Sequence, residues 1–356
     1  MLRIKELITI IAIAWGSTAS LQAQETDAGA LEVDQIAQLM SDFDIPGLAL
    51  ATLQDCALSE TVTLGKANLA TGADVTRQTA FEAASLTKPV FAYLVMTLVA
   101  KGIIDLDTPI ATDFDYPRIV EKDAYSALTP RIILTQRTGL PNWVDEGTDF
   151  HQRTATIPFD AMPGERFTYS GEAFQHLQAY VEAQTSQSVQ DLFVARLGQI
   201  MPNSTLQRPL PDGVLPSRGY QSAQDPESGR GMTNLYNKAM VASSLATTID
   251  DYTAFLAHIC AGKGLPADLY AEMIRPQSPA PDLLSDVVGA GPAVSWALGW
   301  MTIDFGQDLM VGHGGNNDEY NAFAGFFRDA GDGIVILTNG ANGQALIEAF
   351  LLPDGT

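Results

Sequence analysis

Apolar residues recur at helical spacing at Val33, Ile36, Ala37, Met40 and Phe43, predicting an amphipathic helix over about 30–43 that Ile45-Pro46-Gly47 brings to an end. Two short strands are expected next, near 47–53, rich in Leu and Ala, and near 60–65, where apolar and polar positions alternate. The longest apolar run starts at Ser85 and continues through VFAYLVMTLVA to Lys101. It predicts a buried helix with Gly102 as its C-cap; Pro89 fits because it falls in the first turn. From about 103 to 290 the chain is rich in turns and helices, with clear helices near 171–184, 189–199 and 248–261. Strand patterns return at Leu309–His313, Ala322–Arg328 and Gly333–Thr338, the last two joined by D-A-G-D-G, and a final helix runs from about Gln344 to Leu352. Strands at both ends with helices between predict one sheet built from both termini, carrying an inserted helical lobe.

The N-terminus adds a different pattern. Arg3 and Lys5, the apolar run Leu7–Trp15, and the small residues Ala19, Ser20 and Ala23 predict a signal peptide over 1–23, and hence an exported protein, periplasmic or secreted. The apolar run is too short to span a bilayer comfortably, so no stable membrane association is expected once it is cleaved. The 356 residues carry 42 Asp and Glu against 20 Lys and Arg, and cleavage would remove two cations and one anion. So acidic a surface repels nucleic acid phosphates and anionic membranes, which excludes both as expected partners. Cys56 and Cys260 are the only cysteines; export permits a disulfide, but their pairing stays open at this stage.

Chemistry concentrates in a few places. In Ser85-Leu86-Thr87-Lys88 the hydroxyl and the amine share one helical face, and a lysine whose pKa is lowered can activate a serine. Tyr169, in P-G-E-R-F-T-Y-S-G just before a helix, is placed to pass a proton to a leaving group. His313-Gly314-Gly315 ends a strand, where glycines let backbone approach a ligand. Asp105/Asp107 and Asp113/Asp115 sit beside Pro109 and Pro117 and read as turn caps. There is no G-x-S-x-G, and His151, His176, His258 and His313 lack metal-ligand spacing, so neither metal nor cofactor is expected.

Ser-x-x-Lys, then Tyr, then His-Gly-Gly resembles the serine β-lactamase-related family: class C β-lactamases, DD-carboxypeptidases, certain esterases and D-amino-acid peptidases. Further matches run in order along the chain: I-P-G at 45–47, G-I-I-D-L-D-T-P-I at 102–110 and I-L-T-Q-R-T-G-L-P-N-W at 133–143, then A-L-G-W at 297–300, G-H-G-G at 312–315 and I-L-T-N-G-A-N-G at 336–343. The resemblance implies an α+β, β-lactamase/transpeptidase-like fold. An antiparallel sheet would be flanked by terminal helices, and a single catalytic domain over 24–356 would divide into an α/β lobe (about 30–95 and 291–356) and a helical lobe (about 96–290). It also implies Ser85 as nucleophile, Lys88 and Tyr169 as general base and acid, and an oxyanion hole from the backbone N–H groups of Ser85 and Asn316. His313, Gly314 and Gly315 would contact substrate.

Two departures shape the expected activity. The family's Tyr-x-Asn is here Tyr169-Ser170-Gly171, and its Lys-Thr-Gly is His313-Gly314-Gly315. Gln178, or Gln175 on the same helical face, is expected to return an amide to the site. His313 is expected to be a weak, pH-dependent cation. The reading is an acyl-enzyme hydrolase of esters or small amides, with β-lactams or cell-wall peptides as the alternative substrates. A catalytically weak binder of cell-wall peptide on the same fold is the reading from another class.

Overall fold

In the computed structural model, residues 33–145, 150–232, 237–280 and 293–351 are described, so the expected signal peptide lies outside the described residues. Helix α1 (Val33–Asp42) buries Ile36 and Met40, as their spacing predicts. Strands β1 (Gly47–Gln54) and β2 (Ala57–Asn68) form a hairpin. β2 is longer than the pattern suggests because its half-exposed ends carry little apolar signal. β3 (Ala73–Asp74) and β4 (Thr79–Glu82) lead to a 3-10 turn, Ala84–Leu86, and then to α2 (Thr87–Val99). The single helix expected from Ser85 is therefore a tight turn followed by an α-helix.

The middle of the chain supplies α3 (Lys122–Tyr125), α4 (Pro130–Leu134), α5 (Gly171–Thr185) and α6 (Val189–Leu197), then β5 (Leu215–Pro216) and β6 (Ala246–Thr247), then α7 (Ile249–Cys260) and α8 (Ala267–Ile274). The C-terminal part holds β7 (Ser278–Pro279), β8 (Ala293–Trp296), β9 (Met301–Asp304), β10 (Leu309–Asn317), β11 (Tyr320–Phe327), β12 (Gly333–Thr338) and α9 (Gly343–Leu351). β7, β8 and β9 are too short to show in an alternation pattern, and β10 continues past His313 to Asn317.

Nine strands pair in the order β3-β2-β1-β12-β11-β10-β9-β8-β7. The two chain ends meet at β1 and β12, antiparallel, with Leu50 opposite Ile336. One face packs beneath α1 and α9 through Ile36, Met40, Leu48, Leu50, Ile336, Leu346 and Phe350. The other face packs on the helices, with Phe81, Phe91, Phe174, Phe255 and Trp300 at the centre of the larger core. α2 lies between these layers: Phe91 meets Phe174 of α5 at 6.3 Å, and Tyr93 meets Phe255 of α7 at 6.0 Å. All of α2 but Thr97 and Val99 is buried, which is why its sequence is apolar all round.

One expected boundary changes. α7 packs on β1 and β12, so 249–260 belongs to the layer against the sheet and not to a separate helical lobe. The last residue of α7, Cys260, forms a disulfide with Cys56 in the β1–β2 turn across 204 residues of sequence, with Cα atoms 5.3 Å apart. Closing so long a loop restricts the unfolded chain strongly. A Cys56→Ser/Cys260→Ser variant is expected to lose about 3–5 kcal/mol in urea unfolding; an unchanged midpoint and slope would contradict this.

Candidate active site

Chain direction and close packing create the nucleophile's position. β4 delivers the chain to Ala83 and Ala84, both fully buried. Ala84 takes a left-handed conformation (φ +49°), unusual for a residue with a Cβ, and turns the next side chain outward. Ser85 is the only residue between Thr79 and Met96 that is not buried. Gly315 on β10 makes this turn possible: a Cβ there would lie 2.4 Å from the Ala83 carbonyl oxygen. Gly314 beside it faces open space.

Lys88 Nζ lies 3.0 Å from Ser85 Oγ and 2.8 Å from the Ala242 carbonyl oxygen. The ring of Tyr169 covers it at 4.7 Å from the ring centre, and Phe174 stands at 5.7 Å. Burial disfavours the ammonium and brings its pKa down to about 7. The Tyr169 side chain lies beside Ser85, and burial holds the phenol well above its usual range, so it keeps its proton. Ser85, Lys88 and Tyr169 thus meet as the sequence suggests.

The segment carrying Tyr169 is held by residues that sequence reasoning did not single out. The backbone carbonyl of Gln136 accepts from Thr168 N at 2.7 Å, and its side-chain oxygen accepts from Ser170 N at 2.8 Å, bracketing Tyr169. Ser170 caps α5 by accepting from Ala173 N, and Asn142 Oδ1 accepts from Gly171 N at 2.9 Å. A Cβ on Gly171 would lie 2.4 Å from the indole of Trp143, so that ring fills the space a side chain would need. The run 133–143 is therefore the frame of the second motif.

Gln178, expected to return an amide to the site, directs its hydrogen bonds to the segment that starts at Ala239. It is buried, and its amide donates to the Ala239 carbonyl and accepts from Val241 N. His313 departs from the expected weak cation. It is 3 % exposed, packed against Trp296 at 5.2 Å and Tyr169 at 6.2 Å between ring centres. Burial first, and then the nearby Lys88 charge, push its pKa down to about 3, although the Gly314 carbonyl 2.5 Å from Nδ1 works the other way. His313 is neutral at physiological pH. The bond to that carbonyl puts the proton on Nδ1 and leaves Nε2 as a buried lone pair without a partner.

Glu82, three residues before Ser85, locks β4 to the end of β10. It is fully buried; its carboxylate accepts from Asn317 Nδ2 at 2.9 Å and faces the Arg230 guanidinium at 3.4 Å. Arg230 also donates to the Asn317 carbonyl at 2.7 Å and pairs with Glu319. Asn316, one residue before Asn317, is exposed at the mouth of the site. Among the described residues there is no cluster of three or more His, Cys, Asp or Glu that could hold a metal ion, and no helix long and apolar enough to cross a membrane.

The sequence model of the family described as Beta-lactamase matches residues 33–351, and the chain belongs to that family as a serine hydrolase. It is similar to penicillin-binding protein 4 of Amycolatopsis lactamdurans, 25% identical over 321 residues, which cover 85% of this chain and 83% of the relative. It also matches esterase EstB of Burkholderia gladioli, 31% identical over 147 residues, or 35% of this chain and 37% of that one. The octameric penicillin-binding protein homologue from Pyrococcus abyssi shares the fold with a TM-score of 0.73 at 18% identity, covering 90% of this chain and 77% of the other.

The contact between Gly171 and the indole makes a testable demand. Gly171→Asn alone is expected to destabilise the protein by about 1–3 kcal/mol through overpacking. Adding Trp143→Ala should recover part of that loss in urea unfolding. A single variant as stable as the parent would show that the ring moves aside freely.

Proposed function

We propose that this chain is an exported enzyme that cleaves neutral esters or small amides through an acyl-enzyme on Ser85. The observation that carries the reading is a serine hydroxyl 3.0 Å from a buried amine that titrates near neutrality. In its neutral form Lys88 accepts the Ser85 proton as Oγ attacks the substrate carbonyl carbon. The oxygen of the tetrahedral intermediate turns towards the backbone N–H groups of Ser85 and Asn316. Tyr169, a protonated phenol beside Ser85 and Lys88, gives its proton to the leaving group and regains one from Lys88. Water then attacks the ester on Ser85, with the same groups removing its proton and returning one to Oγ.

Charge argues for neutral substrates. His313 carries none at neutral pH, Arg230 is engaged with Glu82, Glu319 and the Asn317 carbonyl, and the chain's net charge is −22. A carboxylate substrate would meet long-range repulsion, and neither of these two side chains offers it a free positive charge. The N-terminal signal pattern and the Cys56–Cys260 disulfide both fit an oxidising, exported setting. The second reading, action on β-lactams or D-alanyl peptides, is favoured by the match to a penicillin-binding protein along 85% of the chain.

Mature protein and Ser85→Ala are compared on a p-nitrophenyl ester, a chromogenic cephalosporin and a D-Ala-D-Ala peptide. The parent is expected to gain the mass of the acyl group and to turn over the ester fastest, and Ser85→Ala to lose about a thousandfold or more. Equal rates for the two proteins would refute the mechanism, and a cephalosporin or peptide ahead of the ester would support the second reading.

A further inference from the structure

Trp143 occupies the space beside Gly171, so the second motif offers no side-chain amide of its own. Two amides nevertheless lie further along the helix that begins there. Gln175 and Gln178 of α5 are both buried. Gln175 Oε1 accepts from the backbone N–H of Ala242 at 3.0 Å, and Gln178 Oε1 accepts from that of Val241 at 3.1 Å. Gln178 Nε2 donates to the Ala239 carbonyl at 3.0 Å and reaches Glu182 at 3.3 Å. Gln175 Nε2 donates to Gln178 Oε1 at 3.1 Å, which joins the two amides into one unit.

Ala242 is the residue whose carbonyl holds Lys88 Nζ at 2.8 Å. The other end of the same segment is tied to the nucleophile turn: Leu245 N donates to Thr87 Oγ1 at 3.0 Å, and Ala83 N donates to the Leu245 carbonyl at 2.8 Å. Residues 239–245 are thus strung between α5 and the Ser85 turn, with the Lys88 acceptor in the middle. Tyr169 lies two residues before α5 begins.

We propose that Gln175 and Gln178 are positioning residues for Lys88, gripping residues 239–242 so that the Ala242 carbonyl stays on the amine. Fixing the N–H of Ala242 restrains the same residue's carbonyl, and with it the direction from which the amine meets Ser85. One rigid helix then sets Tyr169 from its N-terminus and Lys88 through its first two turns. Reacting groups must be placed to within a fraction of an ångström, so release of this grip costs acylation rate and not substrate affinity.

The inference rests on the acyl-enzyme reading, and the test separates the two. Acylation of Ser85 by a p-nitrophenyl ester is followed at a pH well above the Lys88 titration in the parent, Gln175→Leu and Gln175→Glu. Gln175→Leu removes the acceptor for Ala242 N–H and is expected to slow acylation by about tenfold to a hundredfold, with KM within about threefold. Gln175→Glu keeps an acceptor oxygen for Ala242 N–H but loses the donor to Gln178 Oε1, and should recover part of the rate that Gln175→Leu loses. If Gln175→Leu fails to fold, Gln175→Ala opens the same bond without forcing methyl groups against the segment. A leucine or alanine variant that acylates normally, or a glutamate variant as slow as the leucine one, would overturn the inference. A parent that never acylates would instead defeat the functional reading itself.

Discussion

Lys88 Nζ can serve as a base only because water is kept from it: buried beneath the Tyr169 ring, it bonds Ser85, three residues before it, and one backbone carbonyl. In water a lysine amine is protonated at neutral pH and cannot take a proton from serine. Removal from solvent moves its titration to about 7, where a useful fraction is neutral and the acid form is still available to return the proton. The apolar character of α2 serves this burial, because a helix closed on every side excludes water from the amine as well as from its own backbone.

The rest of the architecture brings two separate sections of chain to that amine. β1 and β12 join the chain ends into one sheet, and β10 then runs directly past the nucleophile turn. Glu82 fastens the end of β10 to β4, while Gln136 and Asn142 fasten the Tyr169 segment. These are buried polar bonds with few competitors for each partner, so they fix position more than they add stability. The same packing neutralises His313, and a site that holds one buried amine has little room for a second positive charge.

Much of this was legible in the sequence, for physical reasons that differ from residue to residue. The Ser85–Lys88 pair is local, and its i, i+3 spacing survives the change from α-helix to a 3-10 turn. The strands β1, β11 and β12 carry their burial in continuous apolar runs. Glu82, Gln136 and Arg230 left no such trace, because a lone polar residue shows its partner only once distant segments meet. The partners of Gln178 were hidden for a related reason: helical spacing tells which face it shares with Gln175, but not that residues 239–242 bond to that face. His313 was read as a cation because its ordinary pKa allows it, and only the packing of Trp296 and Tyr169 around it shows otherwise.

The central claim is that burial makes Lys88 a base near neutral pH, and the acylation rate of Ser85 by a neutral ester, followed across pH, tests it most directly. Because the neutral amine is the active form, the rate should climb as pH rises through about 7 and level off above it. A rate that keeps climbing to the ordinary lysine range, or one that ignores pH through neutrality, would contradict the account.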